Sequence, residues 1–575
     1  MPGFLAIGAR GVDFCRLGIT FEGPGPLVTG EKVCRSAYIA RFTNPKFLRD
    51  KVFEDDDEVL VALDGVIFNF ADLQRQYKTQ DYFQTVKAMY RQSGDRFFEA
   101  FRGEFAGVLH DKRRDRWVAF TNHTASKPLF YFHAPDLFIC STQFDAVIRA
   151  LRACGRRYSL DVFGAYCLLT YGYMLEDTTL IATVKKLKAG NYLVLDNGSL
   201  TVDSYVRFRN EPRVRESKEE IIENLDRLFR RAVATQYEKD REYGYEHLAT
   251  LSGGLDSRMN LWVANEMGYK PQVALTFSQS GYLDARIANR VASDLRMEFV
   301  FYSLDHGHYL QPAFGDAIRA NGGLMLFSGS AAILRALNRL DMSRLGMLHT
   351  GLVGDAVLGS FLEGVSPCKA KVPAGAYSAF LMDRIAPDVQ TIMDRYETED
   401  EFLMYNRGFN GALNGNWTTY LFTECTSPFL DREFLDYAMR IPRAMRLGEQ
   451  IYFDWILAKH PGAARYPWEK TKAKISDGLL VQKLKMLWWM AGVVLRWRWE
   501  QISMNPFKSW AKTNPALVRF IQEHWDANSH RLDGWPELKA DCGRMLEGAG
   551  SRFMGPLIAR TQVMTLVEAV RLYFG

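Results

Sequence analysis

One short segment holds the residues best suited to chemistry, namely Leu251, Ser252, Gly253, Gly254, Leu255, Asp256 and Ser257. It lies between the apolar run 248–251 and a stretch whose apolar residues recur at helical spacing. Two adjacent glycines let backbone N–H groups approach an anion, and the N-terminus of the following helix adds positive potential. Because a carboxylate repels phosphate unless Mg²⁺ lies between them, Asp256 indicates a metal-bridged triphosphate or pyrophosphate.

A plainer interpretation of the same segment is a flexible turn in which Asp256 and Ser257 cap the helix. The complete pattern at a strand–helix junction favours the anion site. The chain holds no G-x-x-x-x-G-K-[ST] motif, which argues against a Walker-type nucleotide site. Eight cysteines without a C-x-x-C pair and ten histidines without H-E-x-x-H predict free thiols rather than a disulfide framework or a zinc site.

The composition bounds the class of protein. With 575 residues, 47% of them hydrophobic and 24% charged, the chain is neither disordered nor low in complexity. Its net charge of +5 gives no global field that would attract nucleic acid, so we expect no nucleic-acid partner. The first residues lack a basic segment followed by a long apolar core, so we expect no signal peptide and a cytoplasmic protein.

The most apolar stretch, Met486 to Leu495, is too short to span a membrane. Basic residues and tryptophans occur in it and beside it: Lys483, Lys485, Trp488, Trp489, Arg496, Trp497, Arg498 and Trp499. We predict a buried helix whose charged ends reach solvent. A helix that lies on a membrane surface is the alternative, which leaves a peripheral membrane contact open.

The order of elements predicts two domains, residues 1–208 and 209–575. The first contains short β-rich runs broken by turns, with helices near 82–91 and 161–170, and forms a sheet-rich α/β unit. Beyond a helix predicted at 218–238, strands alternate with amphipathic helices, which is typical of a doubly wound parallel sheet. The predicted strands of this sheet are 248–251, 273–277 and 299–302. From residue 310 onward the chain is predicted to be mostly helical.

The segment 252–257 resembles the pyrophosphate loop of the ATP pyrophosphatases, and the chain as a whole resembles the asparagine synthetase family. In the N-terminal half the resemblance rests on 63–69 (LDGVIFN), 97–111 (FFEAFRGEFAGVLHD) and 126–131 (SKPLFY). In the C-terminal half it rests on 350–355 (TGLVGD), 427–431 (SPFLD) with the following IP at 441–442, and 472–478 (KAKISDG). Each match is short, but their order along the chain follows that of the family.

The resemblance implies a fold and an activity. The fold is an Ntn-hydrolase-like αββα sandwich followed by an adenine-nucleotide α-hydrolase-like (PP-loop) doubly wound parallel sheet with a helical C-terminal part. Family members use ATP and Mg²⁺ to adenylate a carboxylate with release of pyrophosphate, and a nitrogen nucleophile then attacks the acyl carbon.

The same resemblance implies roles for individual residues. Asp256 and Asp355 match carboxylates that hold magnesium–pyrophosphate in the family. Lys472 matches the lysine that stabilises the transition state, and Lys474 is an alternative for that role. The implied ATP contacts are 251–257, Thr276, Thr350 and Gly351. Two helix-capping aspartates and a solvated lysine pair are the plainer interpretations of these residues.

The sequence departs from the family pattern at both sites. Pro2 stands where family glutaminases carry their N-terminal cysteine, and 64–66 (DGV) replaces the Asn-Gly-Glu that binds glutamine. We therefore expect an inactive glutaminase domain. Two acids of the family's synthetase site are Leu352 and Ala356 here, so we expect a more apolar acyl pocket and an acyl substrate other than aspartate.

These features predict an ATP-dependent amide-bond-forming ligase that works without glutamine hydrolysis. Its substrates would be a small-molecule or peptide carboxylate and an amine or ammonia. In lacking the N-terminal cysteine the chain is similar to β-lactam synthetases and lasso-peptide cyclases. An ammonia-using asparagine synthetase and a non-catalytic ATP-binding scaffold are the alternatives, and a homodimer or a partner protein that delivers the substrate is left open.

Overall fold

The computed structural model describes residues 2–9, 14, 19, 25–34, 36–495, 501–548 and 556–575, and so leaves Arg496, Trp497, Arg498 and Trp499 outside the described residues. The N-terminal strands are β1 (Gly3–Ala9), β2 (Val28–Cys34), β3 (Ala37–Thr43), β4 (Phe53–Asp55), β5 (Val59–Ile67), β6 (Gly103–Asp111), β7 (Arg116–Thr121), β8 (Phe130–Ala134), β9 (Leu137–Ser141), β10 (Lys185–Lys186), β11 (Asn191–Asp196) and β12 (Ser199–Ser204). The helices of this part are α1 (Phe70–Tyr77), α2 (Tyr82–Ser93), α3 (Phe144–Ala153) and α4 (Val162–Tyr171).

The C-terminal part has a different pattern of elements. Its strands are β13 (Glu246–Thr250), β14 (Gln272–Ser278), β15 (Glu298–Ser303), β16 (Leu345–His349) and β17 (Cys425–Thr426). Its helices are α5 (Lys218–Glu242), α6 (Leu255–Glu266), α7 (Leu283–Asp294), α8 (Leu310–Asn321), α9 (Ser328–Leu337), α10 (Ala386–Met393), α11 (Glu399–Leu403), α12 (Arg432–Met439), α13 (Arg443–Arg446), α14 (Gln450–Lys459), α15 (Leu479–Leu495), α16 (Phe507–Thr513), α17 (Pro515–Asn528), α18 (Pro536–Leu546) and α19 (Pro556–Phe574).

The N-terminal strands form two antiparallel sheets that pack face to face. Their orders are β10-β8-β9-β1-β3-β2 and β12-β11-β7-β6-β5-β4. Because side chains alternate along a strand, Phe4 and Ala6 of β1 lie in the core between the sheets, whereas Leu5 and Ile7 pack in the cluster that contains α3 and α4. On the outer face of the second sheet, α1 and α2 cover β5 and β6. This arrangement is the expected Ntn-hydrolase-like αββα sandwich.

The C-terminal strands form one parallel sheet with the order β15-β14-β13-β16-β17. The chain adds β14 and β15 on one side of β13 and then returns to add β16 on the other side. At such a switch point the loops that follow the two central strands leave a crevice at the carboxyl edge of the sheet. The segments 251–257 and 350–355 follow β13 and β16, so the topology brings them to the same crevice.

The predicted alternation of strands and helices is confirmed in the parallel sheet. The predicted strands correspond to β13, β14 and β15, and the helix predicted at 218–238 is α5, which begins at a capping box of Ser217 and Glu220. The expectation of a mostly helical chain beyond residue 310 missed β16 and β17. Every residue of β16 is buried, so this strand lacks the alternation of apolar and polar residues that marks a half-exposed strand.

The predicted domain boundary at residues 208 and 209 falls between β12 and α5. Apolar packing crosses it, because residues of α3, α4 and the C-terminal helix α19 belong to one buried cluster. The Tyr166 hydroxyl of α4 also donates a hydrogen bond of 2.8 Å to the Asp541 carboxylate of α18. The C-terminal helices therefore contribute to the outer helical layer of the sandwich.

The prediction of a buried helix at 486–495 is wrong. The helix that contains these residues, α15, lies at the surface, with Trp488 82% exposed and Leu495 80% exposed. A continuous apolar run places apolar side chains on every face of a helix, whereas α15 buries one face only. Among the described residues, no helix is long and apolar enough to cross a membrane.

A buried ion network joins the sandwich to the C-terminal part. Lys127 Nζ lies 2.7 Å from Asp64 Oδ2 and 2.8 Å from Glu424 Oε2, and Lys51 Nζ lies 2.8 Å from Glu424 Oε1. Burial acts to raise the pKa of Asp64, but the two lysine charges outweigh burial and lower this pKa to about 2. The network therefore keeps the Asp64 carboxylate charged inside the molecule.

Glu104 of β6 lies beside this network, and its raised pKa predicts that the stability of the fold depends on pH. Burial, with a smaller effect of Glu424, raises the pKa of Glu104 from 4.5 to about 7. Between these two values the folded protein holds a proton that the unfolded chain has released, so stability falls as pH rises. As pH rises from 4.5 to about 7, the unfolding free energy of the wild type should fall. We expect that of Glu104→Gln to fall by about 1–3 kcal/mol less, because glutamine does not titrate.

Urea denaturation at several pH values measures this difference for Glu104→Gln. Glu238→Gln, a change at an exposed position of α5, is the matched control. The prediction fails if the two variants show the same dependence of unfolding free energy on pH.

Candidate functional site

A cavity of about 500 Å³ lies at the carboxyl ends of β13, β14 and β16. The residues predicted from the sequence that line it are Leu251, Ser252, Gly254, Asp256, Ser257, Thr276, Thr350, Gly351 and Asp355. Gly253 and Leu255 belong to the same loop but are not part of the cavity wall. A volume of this size is in the range of small-molecule and cofactor pockets.

The loop after β13 is held by side chains. The Ser252 N–H donates to Ser257 Oγ at 3.0 Å, and the Gly254 N–H donates to Ser252 Oγ at 3.1 Å. The Gly253 N–H donates to the Asp284 carboxylate. The sequence predicted that these backbone N–H groups would face an anion. A bound anion would therefore take the place of the serine and aspartate oxygens that now accept from them.

The loop after β16 packs directly on the loop after β13. A Cβ atom at Gly351 would lie 2.2 Å from the carbonyl carbon of Asp256, and one at Gly354 would lie 2.8 Å from its Cγ. Val353, between these glycines, has a φ of 67°, a left-handed conformation that is unfavourable for a β-branched residue. Strained backbone of this kind is concentrated at functional sites.

Asp256 and Asp355 form an acidic pair in the cavity wall. The Asp355 N–H donates to Asp256 Oδ2 at 3.1 Å. Burial raises the pKa of Asp256 well above its ordinary value, and the charge of Asp355 raises it further. A cation would relieve this repulsion, and carboxylate oxygens are the ligands that Mg²⁺ prefers. The donor set therefore fits a magnesium–nucleotide.

The two predicted lysines lie outside the cavity wall, in the segment before α15. The Lys472 side chain is 7% exposed, and its Nζ lies 2.9 Å from Glu469 Oε1. The Glu469 N–H donates to the Gly253 carbonyl at 3.1 Å, so Lys472 adjoins the loop after β13 through one residue. Lys474 is exposed to solvent. The surroundings of Lys472 thus differ from those of Lys474, the alternative for the same role.

Two residues that position the loop were missed by sequence reasoning. Arg258 is 1% exposed and donates to the carbonyl oxygens of Gly253 at 2.9 Å and Pro467 at 2.7 Å. Asp284 lies in the first turn of α7 and accepts the Gly253 N–H. Arg258 could have been found, since it directly follows the loop. Asp284 had no signal, because it lies 31 residues from Gly253 along the chain.

Another part of the cavity wall is apolar and contains one cation. Leu352, Val353, Phe361 and Ala412 line this part. Arg407 lines it as well, with its guanidinium carbon 5.6 Å from the centre of the Phe361 ring. Leu352, on which the prediction of a more apolar acyl pocket rests, is thus a wall residue.

A second group of metal-ligand residue types lies apart from this cavity. Asp240 Oδ2 is 2.9 Å from His247 Nδ1 and 2.7 Å from His349 Nε2, and all three residues are buried. The Met347 N–H donates to Asp240 Oδ1 at 2.9 Å. Because both imidazoles already bond to one carboxylate, this group acts as a structural link between α5, β13 and β16.

Gly351→Ala tests the packing of the two loops. The added methyl group would collide with the backbone at Asp256, which cannot move aside as a flexible side chain can. We expect a loss of about 1–3 kcal/mol of unfolding free energy, measured by urea denaturation, and weaker ATP binding, measured by calorimetry. At Gly364 a Cβ would meet no heavy atom within 4 Å, so Gly364→Ala is the matched control. Equal behaviour of the two variants would contradict the prediction.

Comparison with known proteins agrees with this architecture. A glutamine amidotransferase domain model matches residues 50–206, and an asparagine synthase model matches residues 224–367. The chain is 23% identical over 276 residues to asparagine synthetase (glutamine-hydrolyzing) 2 of Bacillus subtilis (strain 168), across 45% of this chain and 36% of that protein. It is 21% identical over 416 residues to asparagine synthetase B (glutamine-hydrolyzing) of Escherichia coli (strain K12), across 66% of this chain and 62% of that protein.

Solved structures are more distant. The allosteric regulatory enzyme of purine biosynthesis is 10% identical with a TM-score of 0.23, across 52% of this chain and 74% of that chain. NMN synthetase from Francisella tularensis is 14% identical with a TM-score of 0.19, across 41% of this chain and 97% of that chain.

The two stacked antiparallel sheets form an Ntn-hydrolase-like sandwich, and the parallel sheet with its paired loops after β13 and β16 forms a PP-loop domain joined to it. With the two domain models in this order on one chain, and with the two curated relatives, the protein is similar to the asparagine synthetase family. The chain spans 36% and 62% of the lengths of those two relatives.

Proposed function

We propose that this protein is an ATP-dependent ligase that joins a carboxylate to an amine or ammonia through an acyl-adenylate, without hydrolysing glutamine. One observation carries the proposal: Asp256 and Asp355, from the loops after β13 and β16, meet in one cavity through an N–H···O bond of 3.1 Å. The match of residues 224–367 to the asparagine synthase model supports the use of ATP.

The proposed reaction has two steps. A carboxylate oxygen of the substrate attacks the α-phosphorus of ATP, and pyrophosphate leaves with the bonding electrons. The nitrogen lone pair then attacks the acyl carbon, AMP leaves, and the nitrogen loses a proton. Negative charge grows on the leaving pyrophosphate, so a nearby cation stabilises this step.

Each part of the site has a role in this scheme. Asp256 and Asp355 would hold Mg²⁺, which when bound neutralises phosphate charge, and Lys472 would stabilise the transition state. The residues proposed to contact ATP are 251–257, Thr276, Thr350 and Gly351. The apolar wall at Leu352 favours an acyl substrate with an apolar body over aspartate.

Independence from glutamine is supported by the state of Asp64 in the N-terminal sandwich. Its carboxylate accepts the Thr43 hydroxyl at 2.6 Å and lies 2.7 Å from Lys127 Nζ. It is 3% exposed. A buried carboxylate that is already paired in this way offers no acceptor to the ammonium group of a glutamine molecule.

ATP–pyrophosphate exchange on the purified protein with Mg²⁺ tests the proposal against a panel of carboxylates that includes aspartate. Exchange stimulated by an acid other than aspartate is the expected result. Stimulation by aspartate alone would instead identify an ammonia-using asparagine synthetase. ATP binding without exchange for any acid would favour the non-catalytic scaffold.

Lys472→Met and Lys474→Met distinguish the two lysines. Lys472 adjoins the loop after β13 through Glu469, whereas Lys474 is exposed to solvent, so we assign the role of stabilising the transition state to Lys472. With the acid found active in the panel, we expect a loss of about a hundredfold or more in the exchange rate for Lys472→Met and less than about twofold for Lys474→Met. Equal losses in the two variants would overturn this assignment.

A further inference from the structure

The helix α15 carries an apolar stripe on its solvent-facing side. Its exposed apolar side chains are Leu480, Val481, Leu484, Leu487, Trp488, Val494 and Leu495. Residues three, four and seven positions apart share one face of a helix, so most of these side chains form a single surface. Contiguous exposed apolar patches of this kind mark interaction sites. No described residue covers these side chains sufficiently to bury them.

The opposite face of α15 packs against the protein. Val493 is buried, and Trp489 lies with its ring centre 4.5 Å from Lys472 Nζ. At about 3.6 residues per turn, Lys483 and Lys485 project along the two edges of the apolar stripe, and Lys485 Nζ lies 2.6 Å from Asp477 Oδ2. The helix thus has an inner apolar face, an outer apolar stripe and a lysine on each border of the stripe.

The segment that contains α15 is strongly basic. Residues 470–512 hold nine lysine and arginine residues against two acidic residues, a net charge of +7, whereas the whole chain has a net charge of +5. Trp488 in this segment is 82% exposed, whereas Trp489 contacts Lys472 and Trp510 is buried. Tryptophan is the residue that settles at the boundary between lipid headgroups and acyl chains.

We propose that α15 docks this protein on the surface of a bilayer that contains anionic lipid. The helix would lie parallel to the surface, with its stripe between headgroups and acyl chains and its lysines among the lipid phosphates. A second copy of the chain is a poor occupant, because it would bring the same excess of positive charge against this one, whereas an anionic surface complements it. The inference does not rest on the proposed ligase activity.

Docking would also place the bilayer close to the candidate site. The face of α15 opposite to the stripe contacts Lys472, which adjoins the loop after β13 through Glu469. One helix thickness therefore separates the docking surface from the residue proposed to stabilise the transition state. A substrate carried on or in the membrane would have a short path to the cavity.

Vesicle flotation with the full-length protein tests the docking. We expect binding to phosphatidylcholine vesicles that contain phosphatidylglycerol, weaker binding to pure phosphatidylcholine, and weakening by salt, since salt screens exposed charges. Leu487→Ser combined with Trp488→Ser should lower the vesicle-bound fraction at least about tenfold. Both side chains are exposed, and circular dichroism and thermal unfolding would verify that the double variant is folded.

Val365→Ser, which removes an exposed apolar side chain outside α15, is the matched control. Absence of binding to either vesicle, or equal loss in the control and in the double variant, would overturn the proposal. Light scattering provides the other decisive result. A dimer that forms without lipid and is abolished by the double variant would assign the stripe to a second copy and likewise overturn membrane docking.

Discussion

Asp256→Asn is expected to lower acid-dependent pyrophosphate exchange at least about a hundredfold while leaving the fold as stable as the wild type, or more stable. The exchange falls because an amide cannot replace a charged ligand of Mg²⁺. The stability holds because burial and the charge of Asp355 raise the pKa of Asp256, so as pH rises above the ordinary value the folded state holds a proton that the unfolded chain has released, and stability falls. An asparagine does not titrate and so avoids this loss.

Two measurements check this prediction. Pyrophosphate exchange and urea denaturation would be compared between Asp256→Asn and Asp316→Asn, a change at an exposed position of α8. The opposite signs of the two effects are the informative feature, because a purely structural aspartate would lose activity and stability together. Joint loss in Asp256→Asn but not in Asp316→Asn would rule out a ligand role for Asp256.

Asp240→Asn is expected to cost about 3–5 kcal/mol of unfolding free energy. The carboxylate is buried and bonds to His247, His349 and the Met347 N–H, so it links one helix to both central strands of the parallel sheet. Burial acts to raise the pKa of Asp240, but the two imidazoles outweigh burial and lower it. An asparagine would face at least one imidazole N–H with its own N–H group and leave a buried donor unpaired.

The pH dependence of Asp240→Asn follows from the direction of the pKa shift. Because the folded-state pKa is lowered, the contribution of the carboxylate is fully present above its ordinary value of 3.8 and is lost as pH falls through the folded-state pKa. Urea denaturation at about pH 5 and about pH 7 should therefore show a large loss at both. Asp533→Asn, a change at an exposed position, is the control. A loss of less than about 1 kcal/mol of unfolding free energy in Asp240→Asn would show that the group of Asp240, His247 and His349 is dispensable for stability.

Much of the fold could be predicted from local patterns in the sequence. The strand–loop–helix unit around 251–257 was found because an apolar run, two glycines and helical spacing all lie within about twenty residues. The αββα class came from the resemblance in motif order rather than from periodicity. The strand β16 was missed because every residue in it is buried, so it shows no alternation of apolar and polar residues.

The sequence by itself also determined which chemical groups are present, namely Asp256, Asp355 and a lysine near residue 472. Only the tertiary structure decided which of them meet. The switch point between β13 and β16 brings together two loops about a hundred residues apart. Asp284 reaches Gly253 because β14, the strand before α7, pairs directly with β13.

The exposure of α15 was decided in the same way. The sequence determined that this helix is apolar, and it predicted burial. Burial, however, depends on how much area neighbouring elements offer, and the fold covers one face of α15 and leaves Trp488 in solvent. The hydrophobicity of a segment can be read from its own residues, whereas its burial depends on which other parts of the chain pack against it. The local sequence therefore predicted which chemical groups are present but not which residues surround them.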